Sequence, residues 1–423
     1  MLRYIAFMLI TFISTSTIFS QMRLQLRHSP WASVPTIVQP ALLGQGKYEY
    51  VSVSGDAQFW LGTNSFRIDP ILQNGNTLTE EVENDIIADL EDSDNQISLG
   101  TDYQILVQTY MGELPVSLGY KSGSQVYFQL NSPETASLIL KGNSFFAGQT
   151  VSDQDLIFRD WSYQEISLGT AFEFGETRLG IRAKFLLGDR ATLYNDLSYE
   201  LFTAGDGRQV DIRSTYDVFE TASPGIDGYG AGVDIGLTHQ INDQWEIHVA
   251  ALDLGFISWD GVIRNNTVDF SYEGIEVENI ISLGEEDASL DPTDTLENLF
   301  FPVTEAGTSS SPLAGSVHLS AFYHFNDAAY GVVSLHSGLT RYGNVSDIPM
   351  LNLAYYQEWN GRFMLGVNAY GGGLDRYGVG ASGGVRFPFA DNGNIQLLIQ
   401  TDNITGLFFG QGIAVNGGVS VGY

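Results

Sequence analysis

The chain is 423 residues long, has no cysteine, and carries 50 acidic against 19 basic side chains for a formal net charge of −31. Charged residues make up only 16 %, aromatics reach 12 % and glycine numbers 47, which departs from a soluble globular protein, where about a quarter of residues are charged. The composition excludes a disulfide framework and a cysteine-linked lipid, and an acidic surface excludes binding nucleic acid through its phosphates.

Residues 1–20 read as a secretory signal peptide. Arg3 gives a positive start and Ile5 to Ile13 an apolar run, closed by the polar stretch Ser14-Thr15-Ser16-Thr17, with Ser20-Gln21 as the cleavage point. A run of this length is too short to cross a bilayer as a helix. No later stretch reaches about 18 apolar residues, so no transmembrane helix follows.

From residue 47 to 423 the pattern is one of β-strands in which apolar residues alternate with small or polar ones. A membrane-crossing strand needs about 9–11 such residues. Thr77-Leu78-Thr79-Glu80 has the spacing of a helix capping box, with Val82, Ile86, Ile87 and Leu90 on one apolar face, predicting a short helical insert. Leu179, Ile181, Ala183, Phe185 and Leu187 alternate with Arg178, Gly180, Arg182, Lys184 and Leu186. Tyr229 to Thr238 and Ser316 to Phe325 repeat the pattern, and Trp245 to Trp259 changes phase near Ala251-Leu252, predicting a bulge. Residues 284–300, with Asp291-Pro292, predict a second short helix. The last strand alternates Ile413, Val415, Gly417, Val419, Val421 and Tyr423 with Gly412, Ala414, Asn416, Gly418, Ser420 and Gly422. Its aromatic end resembles the signal that hands barrels to their assembly machinery.

The connections support a transmembrane antiparallel β-barrel. Short turns are expected at Gly112-Glu113, Gly175-Glu176, Asn242-Asp243, Asn326-Asp327, Asn360-Gly361 and Asp391-Asn392-Gly393. They alternate with longer loops at 62–94, 131–160, 188–228, 260–312, 342–348, 371–375 and 403–410, as in barrels with short turns on one side of the membrane. The count is about sixteen strands if 191–203 and 208–219 cross the membrane, and about fourteen if they project as a hairpin. Fourteen is the preferred count. Trp60, Trp161, Trp245, Trp259, Tyr356 and Trp359 at strand ends read as interfacial girdle residues. Acidic runs such as Glu80 to Asp85 and Glu285-Glu286-Asp287 read as solvated loops, or as bridges through divalent cations to lipid headgroups.

The signal ending in Ser20-Gln21, Gln39-Pro40-Ala41 before the first strand, and the segments GIRAKFLLG (180–188) and LDLGFISW (252–259) carry a family resemblance. The chain resembles outer-membrane barrels of Bacteroidetes that are similar to the long-chain fatty-acid transporter FadL. The resemblance implies a barrel of about fourteen strands, with the N-terminal segment 21–46 entering the lumen as a plug. FadL-like proteins have Asn-Pro-Ala where this chain has Gln39-Pro40-Ala41.

The candidate functional residues are basic and face the lumen: Arg178, Arg182 and Lys184 on one strand and Arg386 on a later one. Such a wall could hold an anion in transit, or it could close the lumen by pairing with acids such as Glu165, Glu173, Asp234 and Glu246. Pairing is the favoured reading. A hydrolase would need a serine beside a histidine, but neighbouring His336 and Ser337 point to opposite faces. His318 and His324 share a face about 20 Å apart, too far for one metal ion. The expectations are a non-enzymatic barrel in the cell outer membrane, with no cofactor and no metal. Its partners would be outer-membrane lipid, the assembly machinery and a small hydrophobic molecule. Uptake of such a molecule and a non-transporting role, as a scaffold or accessory subunit of a secretion, motility or surface complex, both fit the sequence.

Overall fold

A computed structural model describes residues 39–44, 51–69, 71, 79–207, 209–221, 225–273, 305–340, 347–374, 376–389, 393–401, 403–408 and 410–422. The signal peptide, the insert at 284–300 and the acidic run at 285–287 lie outside these residues. The strands are β1 (Val51–Thr63), β2 (Asn95–Met111), β3 (Leu114–Leu130), β4 (Gln149–Asp153), β5 (Ile157–Phe174) and β6 (Thr177–Thr203). They continue with β7 (Gln209–Thr221), β8 (Gly228–Gln240), β9 (Trp245–Glu273), β10 (Glu305–Pro312), β11 (Ser316–Asn326) and β12 (Ala329–Gly338). The last are β13 (Met350–Trp359), β14 (Phe363–Gly372), β15 (Tyr377–Phe389), β16 (Gly393–Thr401) and β17 (Gly412–Gly422).

Every strand pairing among the described residues is antiparallel, and β1 pairs with both β2 and β17, the latter from Ser52↔Gly422 to Gly62↔Gly412, so the sheet closes on itself. The wall is a closed barrel of 14 strands. β7 meets β6 only from Thr192 onward and β9 only from Gly261 onward. The hairpin formed by the far half of β6 and β7 therefore rises beyond the wall, joined there by β4, β10 and the far half of β9. This position excludes the sixteen-strand count. Closure also removes the sheet edges, the one way a β-structure can satisfy its backbone in hydrocarbon.

The alternation in the sequence becomes two faces. On the outside lies a belt of exposed apolar side chains that includes Ile105, Leu168, Phe185, Leu319, Leu335, Leu353, Leu365 and Ile399. A belt of this extent belongs against lipid. Outward aromatics mark its short-turn rim: Phe172, Trp245, Phe325, Trp359, Phe363 and Phe387 are all exposed. Trp60, Trp161, Trp259 and Tyr356 correct the sequence expectation, because they are buried on the inner face. Trp60 shares the parity of Ser54, Asp56 and Gln58, and period two sends all four inward.

The bulge falls in β9 at Leu252 and Asp253, which together oppose Asp234 between the pairs Val233↔Leu254 and Ile235↔Ala251. Asp253 adopts a left-handed backbone with φ 55°, as a bulge residue can, and the kink turns its carboxylate into the lumen.

At the long-loop end two helices cover the barrel. Helix α1 (Glu80–Asp89) is capped by Thr79, whose hydroxyl accepts from the Val82 N–H, while Thr77, the first residue of the expected box, lies outside the described residues; Val82 and Ile86 are buried. Helix α2 (Pro133–Lys141) was not anticipated, although Ser132-Pro133 is a strong start: the Ser132 hydroxyl accepts from the Glu134 and Thr135 N–H groups, and proline suits the first helical position. Under α2 the Thr135 hydroxyl donates to Asp153 at 2.7 Å and receives the Tyr199 hydroxyl at 2.8 Å. Burial holds the Asp153 carboxyl above its ordinary pKa despite these bonds.

Leu335 lies mid-belt between Leu319 and Leu351. Leu335→Arg should destabilise the barrel by about 2–4 kcal/mol, read as the shift in urea unfolding from lipid vesicles. A shift near zero would contradict the placement of this face against hydrocarbon.

Candidate functional site in the lumen

Residues Gln39 to Gly44 form a hook inside the barrel at the short-turn end, with a single 3-10 turn at Pro40–Leu42. The Gln39 amide nitrogen donates to the carbonyls of Val249 at 3.0 Å and Leu237 at 3.4 Å, and its oxygen accepts from the Ala41 N–H at 3.3 Å. Arg178 holds the other side, donating to the Ala41 carbonyl at 3.1 Å and the Leu43 carbonyl at 2.7 Å. Tyr110 donates to the Gly44 carbonyl at 2.8 Å. Two glycines make the room. A Cβ on Gly180 would lie 2.1 Å from the Pro40 carbonyl carbon, and one on Gly236 would lie 1.7 Å from the Gln39 side-chain oxygen. The hook therefore needs glycine at both positions.

Above the hook is a layer of ion pairs. Arg182 meets Asp234 at 3.2 Å; Lys184 meets Asp234 at 2.8 Å and Glu165 at 3.4 Å, and also contacts Asp253. The Asp253 N–H donates to Asp234 at 2.7 Å, so the bulge fixes both acids. Lys121 meets Asp102 at 3.5 Å and donates to the Tyr163 hydroxyl at 3.2 Å. Three cations thus face four carboxylates. At such burial, charges persist only when paired, and removing one partner costs far more than the pair contributes.

The far side of the lumen continues the layer with imidazole, hydroxyl and amide groups. His318 and His336 meet through their Nδ1 atoms, and Asn352 donates to Ser334 at 3.3 Å and Asn368 to Asn352 at 3.1 Å. Ser382↔Gln400, Gln400↔Asn416 and Asn416↔Gln58 are direct cross-strand partners, and Gln58↔Asp102 returns to the charged side. All 14 barrel strands contribute to this girdle, and none of these residues is more than 8 % exposed. Steps between strands are direct partners or offset by two residues, as tilted strands require for a level ring, except from Asp253 to His318, where the bulge adds a residue.

Apolar clusters flank the girdle. On the hook side Phe322, Tyr330, Tyr356, Met364 and Leu398 pack together, with Tyr330 stacked on Tyr356 at 4.8 Å. On the long-loop side Trp161, Leu186, Phe219, Ile257 and Trp259 form a second cluster. Trp259 lies over Gly188 and Gly228, where any Cβ would come within 2.6 Å of its ring.

The four basic residues singled out from sequence thus divide into three environments. Arg182 and Lys184 share the ion layer. Arg178 serves the hook and reaches exposed Glu173 at 3.2 Å. Arg386 stands apart on β15, donating to the Gly361 carbonyl at 3.2 Å with Glu358 at 3.7 Å. Of the expected acidic partners, Glu246 is the correction: it pairs with His248 at 2.8 Å on its own strand, because residues two apart share a face. Lys121, Asp102 and Asp253 were missed. A lone lysine in a strand carries no sequence signal, whereas the phase change near Asp253 did mark the bulge.

The fold and its girdled lumen define a fourteen-stranded transmembrane β-barrel with an N-terminal hook. The chain belongs to the family of unknown function DUF5723, whose model matches residues 40–389, a span that opens at the hook. Among solved structures, the toluene transporter TodX of Pseudomonas putida is similar at TM-score 0.51 and 10 % identity, over 95 % of this chain and 95 % of that one. A TodX deletion mutant described as a monoaromatic hydrocarbon channel gives TM-score 0.51 and 10 % identity, covering 92 % and 94 %. A FadL homologue of Pseudomonas aeruginosa superposes at TM-score 0.47 with 10 % identity, covering 96 % and 98 %. No curated protein matches the chain by sequence.

Lys184→Met would leave Asp234, Asp253 and Glu165 without their shared cation, an expected loss of about 3–5 kcal/mol in urea unfolding. Asp234→Asn on that background should recover part of it. Gly180→Val should expel the hook, exposing residues 39–44 to proteinase K digestion that the wild type resists. Equal resistance would contradict the tight fit seen at Gly180.

Proposed function

We propose that the chain is a bacterial outer-membrane barrel that takes up a small hydrophobic or amphipathic molecule and is not an enzyme. The observation that carries this reading is the layering of the lumen. Aromatic and aliphatic surfaces lie on both sides of a polar girdle, and a separate N-terminal hook closes the end below. Such stacking offers an apolar solute two resting places with a closure between them, a logic shared by ligand sites lined with apolar groups and a few placed polar ones. The similarity to TodX supports the fold on which the reading rests, and fold alone is weak support for function. The short turns would face the periplasm and the long loops the exterior. Outer-membrane lipid and the barrel assembly machinery are the partners this reading requires, and membership among Bacteroidetes barrels belongs to it as well. The reading extends to segment 21–46 as a lumen plug, of which Gln39–Gly44 lie among the described residues.

A second reading, a non-transporting scaffold or accessory subunit, is favoured by one observation. The ion pairs of the girdle are already formed, so its charged groups need no passenger for a partner.

The test is entry of radiolabelled toluene and of a long-chain alcohol into cells that make the protein, compared with cells that do not. Uptake predicts several-fold faster entry of at least one, and faster entry still with Arg178→Ala, which loosens the hook. Equal rates in all three strains, with the barrel shown to be folded by its heat-modifiable gel mobility, would remove the uptake reading and leave the scaffold.

A further inference from the structure

One arc of the girdle holds buried polar atoms without partners. Ser382 on β15, Gln400 on β16 and Asn416 on β17 are successive cross-strand partners. Asn368 on β14 opposes Gly380, two residues from Ser382 on the same face. With strands about 4.8 Å apart, the row from Asn368 to Asn416 is about 14 Å long. Asn416 opposes Gln58 on β1, and Trp60 follows two residues on, facing inward as well. Asn368, Ser382, Asn416 and Trp60 are 3 %, 6 %, 4 % and 0 % exposed. Among the described residues, the Ser382 hydroxyl, the Asn416 side-chain oxygen and the Trp60 indole nitrogen have no hydrogen-bond partner. Asn368 spends its amide nitrogen on Asn352, and its oxygen has no partner either. Buried polar groups are as a rule hydrogen-bonded, and each exception calls for a reason. Apolar groups border the row on both sides: Tyr356, Met364 and Leu398 toward the hook, Trp60 and Tyr370 toward the long loops.

The charges around this row select the ligand. The strands β13 to β17 and β1 contain a single basic residue, Arg386, held near the short turns by the Gly361 carbonyl and Glu358. On the opposite wall Lys121, Arg182 and Lys184 are committed to Asp102, Asp234, Glu165 and Asp253. A carboxylate entering the row would meet amide oxygens and no cation, and a buried charge persists only when paired. An ammonium meets the same rule, because those acids are already engaged, and it offers no acceptor to the Trp60 N–H. A hydroxyl both donates and accepts, so it serves the amide oxygens and the indole alike. The row is long enough for more than one. We propose that Asn368, Ser382, Asn416 and Trp60 form a binding site for the uncharged, hydroxyl-bearing head of an amphipath of the alkanediol type, and that carboxylates are disfavoured there. The inference rests on the uptake reading and narrows it to one substrate class.

The test is the initial rate at which labelled 1,2-dodecanediol, dodecanoate, dodecylammonium and toluene enter cells that make the protein, against cells that do not. The expected result is several-fold faster entry of the diol, with no comparable gain for either ion of the same chain length. Asn416→Leu and the milder Ser382→Ala should each remove most of the diol's gain, in barrels shown to be folded by their heat-modifiable gel mobility. The hydroxyl-to-methyl change at Ser382 keeps the test decisive should Asn416→Leu fail to fold. A gain for dodecanoate or dodecylammonium equal to the diol's would overturn the site, as would a diol gain that folded variants retain. Faster entry of toluene alone would also overturn it, while leaving the uptake reading in place. No gain for any of the four would overturn the uptake reading and the site together.

Discussion

Everything inside this barrel follows from one constraint: a closed wall of strands sends half of its side chains into a space where water cannot satisfy them. On the outside the constraint is easily met, because apolar side chains need only lipid. On the inside each polar group needs a partner from another strand, and an unpaired buried charge costs several kcal/mol. The girdle is the collective solution. Lys184 illustrates it, drawing carboxylates from β5, β8 and β9 onto one ammonium group. The bulge at Asp253 exists within the same network, since its backbone N–H is held by Asp234. Registration of four strands therefore depends on a single buried cation.

The hook obeys the same rule with backbone groups. An irregular segment inside a lumen exposes N–H and C=O groups, which must find partners. Arg178 takes two of the hook's carbonyls, Tyr110 a third, and Gln39 ties the hook back to β8 and β9. Gly180 and Gly236 let the two backbones approach. The result is a closure held by polar contacts at its margin, not by a large apolar interface.

The wall was largely legible in the sequence and the lumen largely was not. Period-two alternation, as in the strand ending Val419-Ser420-Val421, reveals the two faces, and turn residues such as Gly112 and Gly175, with φ 67° and 61°, mark the short side. The parity of Arg178, Arg182 and Lys184 marked them as inward. Register between strands, however, is set by closure and tilt, which leave no local trace. Hence His318 and His336, 18 residues apart in the chain, read as separate residues, and Gly236 gave no hint that Gln39 fills its place. Trp60 and Trp259 were misread for a related reason. A position near a strand end says little about which face a ring takes, whereas the parity of Ser54, Asp56 and Gln58 would have placed Trp60 correctly.

Because the chain has no cysteine, single cysteines report cleanly on the two faces. The most direct test of the closed, two-faced barrel is thiol labelling of Asn352→Cys and Leu353→Cys, adjacent residues of β13, in lipid nanodiscs. The account predicts that Leu353→Cys reacts only with a membrane-soluble maleimide, and that Asn352→Cys resists a water-soluble reagent until the barrel is unfolded. Prompt labelling of Asn352→Cys by the water-soluble reagent in the folded barrel would contradict a lumen closed at the girdle.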